Sequence, residues 1–172
     1  MPERGPIVLA TDFGTADGFV GVMKGVILSI NPAARIVDLT HEIAPQNVRD
    51  AAFVLWSAYR YFPPTSIIVG VVDPGVGGDR RGVAVQTPRG IFVGPDNGIF
   101  SELLALPAAK VRHIANTKLF LPNVSATFHG RDIFAPVAAH LAAGVAASRV
   151  GPLIAAALTL PSPVAVRTSE RT

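Results

Sequence analysis

Residues 67–81 read IIVGVVDPGVGGDRR, and this stretch joins an apolar strand to a glycine-rich loop that carries charge. Its first part, Ile67–Val72, is a continuous run of β-branched residues and glycine, which is typical of a strand buried on both faces of a parallel sheet. Pro74 fixes φ and lacks an amide donor, and the glycines after it permit a tight turn. The stretch therefore predicts that Asp73 lies at the carboxyl end of a central strand, where α/β sheets bind their ligands.

Two arginines follow Asp73 in the same loop. Arg80 lies far enough along the chain to fold back across the glycines and reach the carboxylate. The alternative interpretation is a turn aspartate followed by two surface arginines, and the stretch alone favours neither. It also leaves open whether Arg80 or Arg81 faces the site.

The composition indicates one globular domain that is rich in apolar residues. The chain has 172 residues, of which 49% are hydrophobic and 16% are charged, so it is large enough to bury a core and unlike a disordered protein. Its mean hydropathy of +0.43 is high, yet no apolar run approaches the ~20 residues of a membrane helix. We therefore expect strands covered on both faces, a subunit interface and no membrane partner.

Several functional classes are disfavoured by residue content. The absence of cysteine excludes disulfides, thiolate metal sites and a cysteine nucleophile, and the histidines are not spaced as metal ligands. The net charge of +3 comes without a basic block interleaved with aromatics, so no nucleic-acid partner is expected. Neither a Gly-Lys-Ser/Thr phosphate loop nor a Gly-x-Ser-x-Gly motif occurs. The N-terminus enters a strand without a signal-peptide pattern, which predicts a cytoplasmic enzyme.

Strands alternate with helices through most of the chain. We predict strands at 6–11, 35–39, 67–72 and 111–114, a hairpin formed by 82–87 and 90–93, and helices at 17–30, 48–61, 99–106 and 133–143. Helix caps are predicted at Asp17 or Thr15, at Asn47 and at Asp132. This order predicts an α/β fold with a mostly parallel central sheet and helices on both faces, in three layers. The domain would span residues 1–160, with a linker or tail at 161–172.

Further polar residues stand at predicted strand ends or before helices. Asp12 suits an Asx turn or a helix cap, although a carboxylate at a strand end can also bind the two hydroxyls of a ribose. Asp96 and Asn97 belong to a turn cluster, GPDNG, for which a structural role is the simpler explanation. His129 stands on a glycine-flanked loop before a helix, a position suited to acid–base chemistry.

Five motifs in this chain, taken in order, resemble those of a known family. They are TDFG at 11–14, DLTHEI at 38–43, VVDPGVG at 71–77 with Arg80, GPDNG at 94–98 and FHGRD at 128–132. Together they look like the S-adenosyl-L-methionine (SAM) hydrolases, also called SAM hydroxide adenosyltransferases, which are relatives of the fluorinating and chlorinating enzymes. The resemblance covers residues 6–161, nearly the whole chain.

The resemblance implies that SAM and water are converted to adenosine and L-methionine, with SAM as substrate and no cofactor. The catalytic residues would be Asp73, Arg80 and His129. Asp73 would accept the proton of water, Arg80 would stabilise the developing hydroxide, and His129 would orient the water or relay the proton. The resemblance places substrate binding at Asp12, which would hold the ribose diol, and at Asp96, Asn97 and Phe128.

Family members continue into a smaller C-terminal β domain, which binds adenine and completes the site at a trimer interface. The resemblance therefore implies a homotrimer, and it implies that this chain stops before the adenine-binding domain. One alternative is a non-catalytic module for nucleoside binding or assembly. A less favoured alternative is a SAM-dependent halogenase, because Val76 and Gly130 stand where the halogenating relatives carry a threonine and a serine, and they offer a halide no side-chain donor.

Overall fold

Six strands form one sheet in the computed structural model, which describes residues 5–161. In chain order they are β1 (Ile7–Thr11), β2 (Ile36–Thr40), β3 (Ile67–Val71), β4 (Gly82–Thr87), β5 (Gly90–Pro95) and β6 (Lys110–His113). Their order across the sheet is β2-β1-β3-β5-β4-β6. Strand β3, with which residues 67–81 begin, is internal in the sheet and buried along its whole length, as predicted.

The sheet is mixed. Strands β2, β1, β3 and β5 pair in parallel, whereas β4 pairs antiparallel with both β5 and β6. The hairpin predicted between β4 and β5 is confirmed, and its short turn at Pro88 and Arg89 enforces antiparallel pairing. The α/β class is thus confirmed. The predicted parallel arrangement holds only for the four neighbouring strands β2, β1, β3 and β5, whereas β4 and β6 form the antiparallel part.

Helices lie against both faces of the sheet. They are α1 (Phe19–Ile30), α2 (Val48–Ala58), α3 (Ser101–Leu104) and α4 (Ala135–Ala142), and a π-helical turn, Gly130–Phe134, leads directly into α4. Successive strand residues point to opposite faces. Accordingly Ile7 and Leu9 pack with α1 and α4, whereas Val8 and Ala10 pack with α2 and α3.

One of the predicted helix caps is confirmed and two are wrong. Asn47 caps α2, because its side chain accepts the amide of Asp50 at 3.1 Å. The residue before α1 is Gly18, which has no side-chain cap, while Thr15 donates to Glu42 instead. Asp132 lies inside the π-helical turn and bonds to a preceding loop, so it caps nothing.

The remaining differences concern element ends. Helix α3 is shorter than the predicted 99–106 at both ends, and at its start the side chain of Asn97 accepts the amide of Ile99 and holds a turn there. After β6 the apolar segment 153–160 runs without regular structure, apart from one bridge between Leu153 and Arg112. The predicted tail at 161–172 lies outside the described residues beyond Pro161. Over residues 5–161, no helix has the length and apolar character to cross a membrane.

Candidate active site

The polar residues singled out from the sequence gather at one edge of the sheet. The parallel strands β1, β3 and β5 all end at this edge. Because β4 runs antiparallel and Gly82 pairs with Pro95, the glycine-rich loop that enters β4 reaches the same edge. The topology therefore brings together the residues that follow these strands and those that precede β4, namely Asp12, Asp73, Arg80, Arg81, Asp96 and Asn97.

Asp73, Arg80 and His129 form a connected group. The Nε of Arg80 donates to both carboxylate oxygens of Asp73, at 2.9 and 3.0 Å, and its Nη2 also contacts Oδ2. The same Nη2 lies 2.7 Å from Nδ1 of His129. The side chains of Asp73 and Arg80 are only 5% and 11% exposed, so the pair is largely shielded from water. The structure thus assembles the predicted catalytic residues and brings Arg80, rather than Arg81, to Asp73.

Arg80 is held from several sides. Its guanidinium lies over the ring of Phe134, with 5.3 Å between the guanidinium carbon and the ring centroid. A Cβ at Gly75 would lie 3.3 Å from the Cγ of Arg80, so the glycine lets the arginine stem pass close to the backbone. Charge-assisted bonds from a rigid guanidinium also restrict the carboxylate geometrically. Arg80 therefore presents its charge in one fixed orientation.

The contact with Arg80 determines the protonation of His129. A guanidinium can only donate, so Nδ1 of His129 must accept, and the neutral imidazole then carries its proton on Nε2. Burial, followed by the positive charge of Arg80, lowers the pKa of His129 below its ordinary value. The carboxylates of Asp73 and Asp132 and the backbone of Ser125 oppose this shift without reversing it. His129 is thus a neutral group at neutral pH.

The loop that carries His129 is fixed by residues that sequence reasoning missed. The buried carboxylate of Asp132 accepts the amide of Ser125 at 2.8 Å, and the hydroxyl of Ser125 accepts the amide of Phe128 at 3.0 Å. Burial would raise the pKa of Asp132, but hydrogen bonds from Arg131 and Ser125 hold it below its usual range. Asp132 belongs to the FHGRD motif, which was the available signal, although the sequence suggested a capping role.

Gly77 joins this loop to the glycine-rich loop. Its φ of +76° lies in the left-handed region, and a Cβ at this position would lie 2.1 Å from the carbonyl oxygen of Ala126. Only glycine permits that approach. The loop that carries Arg80 and the loop that carries His129 are therefore in direct backbone contact at Gly77 and Ala126.

Asp12 lies beyond the end of β1 and is oriented by a backbone donor. Its Oδ2 accepts the amide of Gln46 at 2.7 Å, and Gln46 has a left-handed φ of 61°. Within residues 5–161, no hydrogen bond to the other oxygen, Oδ1, is seen. Asp12 thus presents one carboxylate oxygen that can accept hydrogen bonds from a ligand.

Asp96 and Asn97 border the site but have partners within the protein. Asp96 is 4% exposed, and its Oδ2 accepts Nε and Nη2 of Arg81 at 3.1 and 2.6 Å. Its Oδ1 accepts the amide of Leu158 at 2.7 Å, which fastens the segment 153–160 to this edge. Asn97 donates to the carbonyl of Val72 at 2.8 Å and so holds the backbone next to Asp73.

Phe128 belongs to an aromatic cluster beside His129. Its ring centroid lies 5.6 Å from that of Phe13 and 5.3 Å from that of Phe19, both edge-on. The cluster borders a shallow groove lined by Asp17, Gly18, Phe19, Val22, Phe128 and Arg131. A larger concavity near Ser66 and Gly144 lies at the opposite edge of the sheet, away from the group of Asp73, Arg80 and His129, called the triad below. In the part of the chain that the structure describes, no group of three or more His, Cys, Asp or Glu side chains is arranged to hold a metal ion.

Comparison with known proteins identifies similar sequences. A family model for the SAM hydroxide adenosyltransferase N-terminal domain matches residues 7–151. The (R)-S-adenosyl-L-methionine hydrolase of Salinispora tropica is 44% identical over 150 residues, which cover 86% of this chain and 57% of the relative. The enzyme of the same name from Thermus thermophilus is 41% identical over 155 residues, covering 86% and 60%. A fluorinase from an Actinoplanes species is more distant, at 29% identity over 177 residues, covering 88% and 59%.

A solved structure shares the fold. The crystal structure of an uncharacterized conserved protein from Thermotoga maritima superposes with a TM-score of 0.87 at 46% identity, over 90% of this chain and 60% of that protein. Against the hydrolases, too, the chain spans less than two thirds of the relative's length, from 52% to 62%.

Proposed function

The chain belongs to the SAM hydroxide adenosyltransferase family, matching its N-terminal domain, and from this premise we propose that it carries the catalytic residues of an (R)-S-adenosyl-L-methionine hydrolase. In the reaction, the oxygen of water bonds to the ribose C5′ while the C5′–S bond breaks and its electron pair passes to sulfur. The products are adenosine, L-methionine and one proton. The identity of 41–44% to hydrolases of this name, over most of the chain, supports the proposal.

The observation that carries the proposal is the group formed by Asp73, Arg80 and His129. The sulfonium leaves as a neutral thioether and needs no acid, so the enzyme has only to position and deprotonate water. Oδ2 of Asp73 accepts two contacts from Arg80, whereas Oδ1 accepts one, at 2.9 Å. Oδ1 therefore keeps a lone pair for the proton of water, while the charge of Arg80 stabilises the oxygen as it becomes hydroxide-like.

His129 contributes as a neutral group. By accepting from Nη2 of Arg80, the nitrogen that also contacts Asp73, it fixes the guanidinium, and its proton on Nε2 can orient the attacking water. A protonated His129 would place a second positive charge against Arg80 and remove the acceptor. The proposal therefore requires the imidazole, not the imidazolium.

The substrate side of the proposal uses the same edge of the sheet. Oδ1 of Asp12 would accept hydroxyl protons of the ribose, and the groove beside Phe128 would hold the part of SAM next to the reacting carbon. Asp96 and Asn97 would shape the pocket through the backbone that they hold.

We further propose that the active form is a cytoplasmic homotrimer in which a second, adenine-binding β domain completes the site. The proposal includes no cofactor, and neither nucleic acid nor a membrane is a partner.

Two other functions are compatible with the family resemblance. A non-catalytic nucleoside-binding or assembly module would use the same Asp12 carboxylate and the groove beside Phe128 but would not convert SAM. A halogenase is opposed by packing, since a Cβ at Gly130 would lie 3.3 Å from the ring of Phe13 and 3.4 Å from the sulfur of Met23. A serine at that position would therefore require its neighbours to shift slightly before its hydroxyl could serve a halide.

Incubating the chain with the separated (R) and (S) sulfonium epimers of SAM tests the proposal, with adenosine and methionine measured by chromatography. We expect adenosine from the (R) epimer, and we expect Asp73→Asn to lower the rate at least ~100-fold. Asp79→Asn, an exposed carboxylate in the same loop, is the matched control and should retain the rate. If no product forms even when the C-terminal domain of a relative is appended, the hydrolase proposal is wrong and the binding module replaces it.

A further inference from the structure

A buried histidine outside the triad connects the ends of β1 and β2. His41 is 4% exposed and follows β2 directly. Its Nε2 lies 2.9 Å from Oδ1 of Asp38, and its Nδ1 lies 2.9 Å from the hydroxyl of Thr11, which is fully buried at the end of β1. The other carboxylate oxygen of Asp38 accepts Nζ of Lys24 at 2.6 Å. These four side chains form one continuous chain of hydrogen bonds, the Lys24–Thr11 network.

The direction of each bond follows from donor chemistry. Asp38 accepts from Lys24, and hydrogen bonds from Lys24 and His41 hold the pKa of Asp38 below its usual range, although burial alone would raise it. Nε2 of His41 must therefore donate to the carboxylate, and in the neutral ring Nδ1 accepts the Thr11 hydroxyl proton. The Thr11 oxygen in turn accepts the amide of Phe13 at 3.2 Å. Bonds aligned in this way polarise and strengthen one another.

The residue whose backbone this network holds on both sides is Asp12. It lies between Thr11 and Phe13, which share the bond just described. The same turn is held by His41 a second time, because its carbonyl accepts the amide of Gly14 at 2.7 Å. Together with the Gln46 amide on Oδ2, these bonds fix both the backbone and the carboxylate of Asp12.

A nucleophilic role for this arrangement is excluded by burial. A hydroxyl, an imidazole and a carboxylate in sequence have the composition of an acyl-transfer triad. However, Thr11 is 0% exposed, so no substrate atom can reach its oxygen. The network can act only through the turn to which Thr11 belongs.

We propose that Thr11, His41 and Asp38 are positioning residues that orient the Asp12 carboxylate toward the ribose hydroxyls of the nucleoside, an inference that rests on the proposed function. The network terminates on the amide next to Asp12, and the free oxygen of Asp12 is set by the turn geometry rather than by contacts of its own. Loss of the network would therefore impair recognition of the hydroxyls more than binding of the rest of the ligand.

The substitution pair Thr11→Val and Thr11→Ser separates this role from packing. Valine keeps the size of threonine in a strand but gives Phe13 no acceptor and His41 no donor, whereas serine restores both. Thr87→Val is the matched control, because Thr87 is also buried and its hydroxyl also accepts an amide in a turn, that of Arg89 at 3.0 Å, at the opposite edge of the sheet.

The experiment measures dissociation constants for adenosine and 2′,3′-dideoxyadenosine by calorimetry. We expect Thr11→Val to reduce the preference for adenosine about tenfold, the equivalent of one hydrogen bond to a charged group. Thr11→Ser and Thr87→Val should keep the wild-type preference. A purely structural role would weaken both ligands equally, so an unchanged ratio in Thr11→Val overturns the proposal.

A second readout needs no ligand and keeps the two proposals distinguishable. Amide hydrogen exchange at Phe13 and Gln46 should be faster in Thr11→Val than in Thr11→Ser, and equal rates overturn the positioning role. The wild-type chain could fail to distinguish adenosine from the dideoxynucleoside while the exchange rates differ as expected. In that case Asp12 does not recognise the ribose, although the network does position the turn. If the wild type does distinguish them and Thr11→Val does so equally, the network proposal fails alone.

Discussion

Nη2 of Arg80 lies 2.7 Å from Nδ1 of His129, in a contact where only the imidazole can accept. Two groups that both carry positive charge in acid are thus placed against each other, and the structure is consistent only with neutral His129. Three groups face the ring electrostatically, Arg80, Asp73 and Asp132, and burial together with Arg80 outweighs the two carboxylates in lowering its pKa.

The first prediction concerns the pH dependence of the reaction. Because the pKa of His129 is lowered, the neutral ring persists below the ordinary histidine value of about 6.5. We expect the rate of adenosine formation to stay level down to that pH and to fall only below it. Rate profiles of the wild type and of His129→Gln, which keeps an acceptor but does not titrate, measure this. A fall that begins well above pH ~6.5, or an identical acid limb in His129→Gln, would contradict the prediction.

The same shift predicts a stability change with a definite sign. A folded-state pKa below the unfolded value means that the unfolded chain binds the proton more readily, so the contribution of His129 to stability is complete above pH ~6.5 and is lost as the pH falls through the folded value. Urea midpoints at neutral and mildly acid pH should differ more in the wild type than in His129→Gln. Equal differences would show that other groups carry the acid destabilisation.

Arg80→Lys should abolish most of the activity. Lysine keeps the charge but cannot donate to both Asp73 oxygens and to His129 from one rigid plane. We expect kcat to fall about 100-fold, the usual effect of losing one preorganised donor. Arg81→Lys, which affects the pair with Asp96, is the control in the neighbouring position. Loss of rate in Arg81→Lys but not in Arg80→Lys would reverse the assignment of the two arginines.

Gly77→Ala should destabilise the protein and separate the loop that carries Arg80 from the loop that carries His129. Its left-handed φ and the 2.1 Å approach to the Ala126 carbonyl leave no room for a methyl group, and we expect a loss of more than about 2 kcal/mol in the free energy of unfolding. Gly25→Ala on α1 is the contrast, because a Cβ there meets nothing within 4 Å. That variant should gain up to about 1 kcal/mol from helix propensity. Chemical denaturation of both variants decides between these outcomes.

Asp132→Asn should affect the His129 loop in particular. The carboxylate is fully buried and accepts from Ser125 and Arg131, so the neutral amide weakens both contacts, and we expect a loss of about 1–3 kcal/mol in unfolding free energy. Amide exchange should accelerate at Ser125 and Phe128 but not in α2, on the other face of the sheet. Uniform acceleration over the whole domain would show that Asp132 stabilises the fold rather than this loop.

The structure brings together Asp73, Arg80 and His129, which the sequence proposed as a site, but their catalytic roles stay predictions. Strand ends and turn residues singled out Asp73 and His129 as candidates, whereas grouping them with Arg80 came from the family resemblance, because the loop alone did not distinguish Arg80 from Arg81. The substrate-binding roles assigned to Asp12, Asp96, Asn97 and Phe128 stay predictions in the same way. Motif order indicated the family, and the comparisons agree with it.

What the sequence did not reveal depends on contacts between distant segments. Nothing in the residues around His41 indicates its bond to Thr11, which becomes visible only through the pairing of β1 with β2. Asp132 resembled a helix cap because the π-helical turn, which moves the helix start upstream, has no distinct residue pattern. The antiparallel pairing of β6 with the free edge of the β4–β5 hairpin is a choice of partner strand, and partner choice is not encoded in local periodicity.

Arg80 and Arg81 are consecutive, yet they turn to different carboxylates, Asp73 on one side and Asp96 on the other. The count of residues in the glycine-rich loop is therefore fixed by two ion pairs at once. Deleting one residue between Asp73 and Arg80 would bring Arg81 to Asp73 and leave Asp96, which also binds the amide of Leu158, without its arginine. Inserting one residue would bring Arg80 to Asp96 and leave Asp73 without its arginine. The loop consequently tolerates changes of side chain at its exposed positions far better than any change of length.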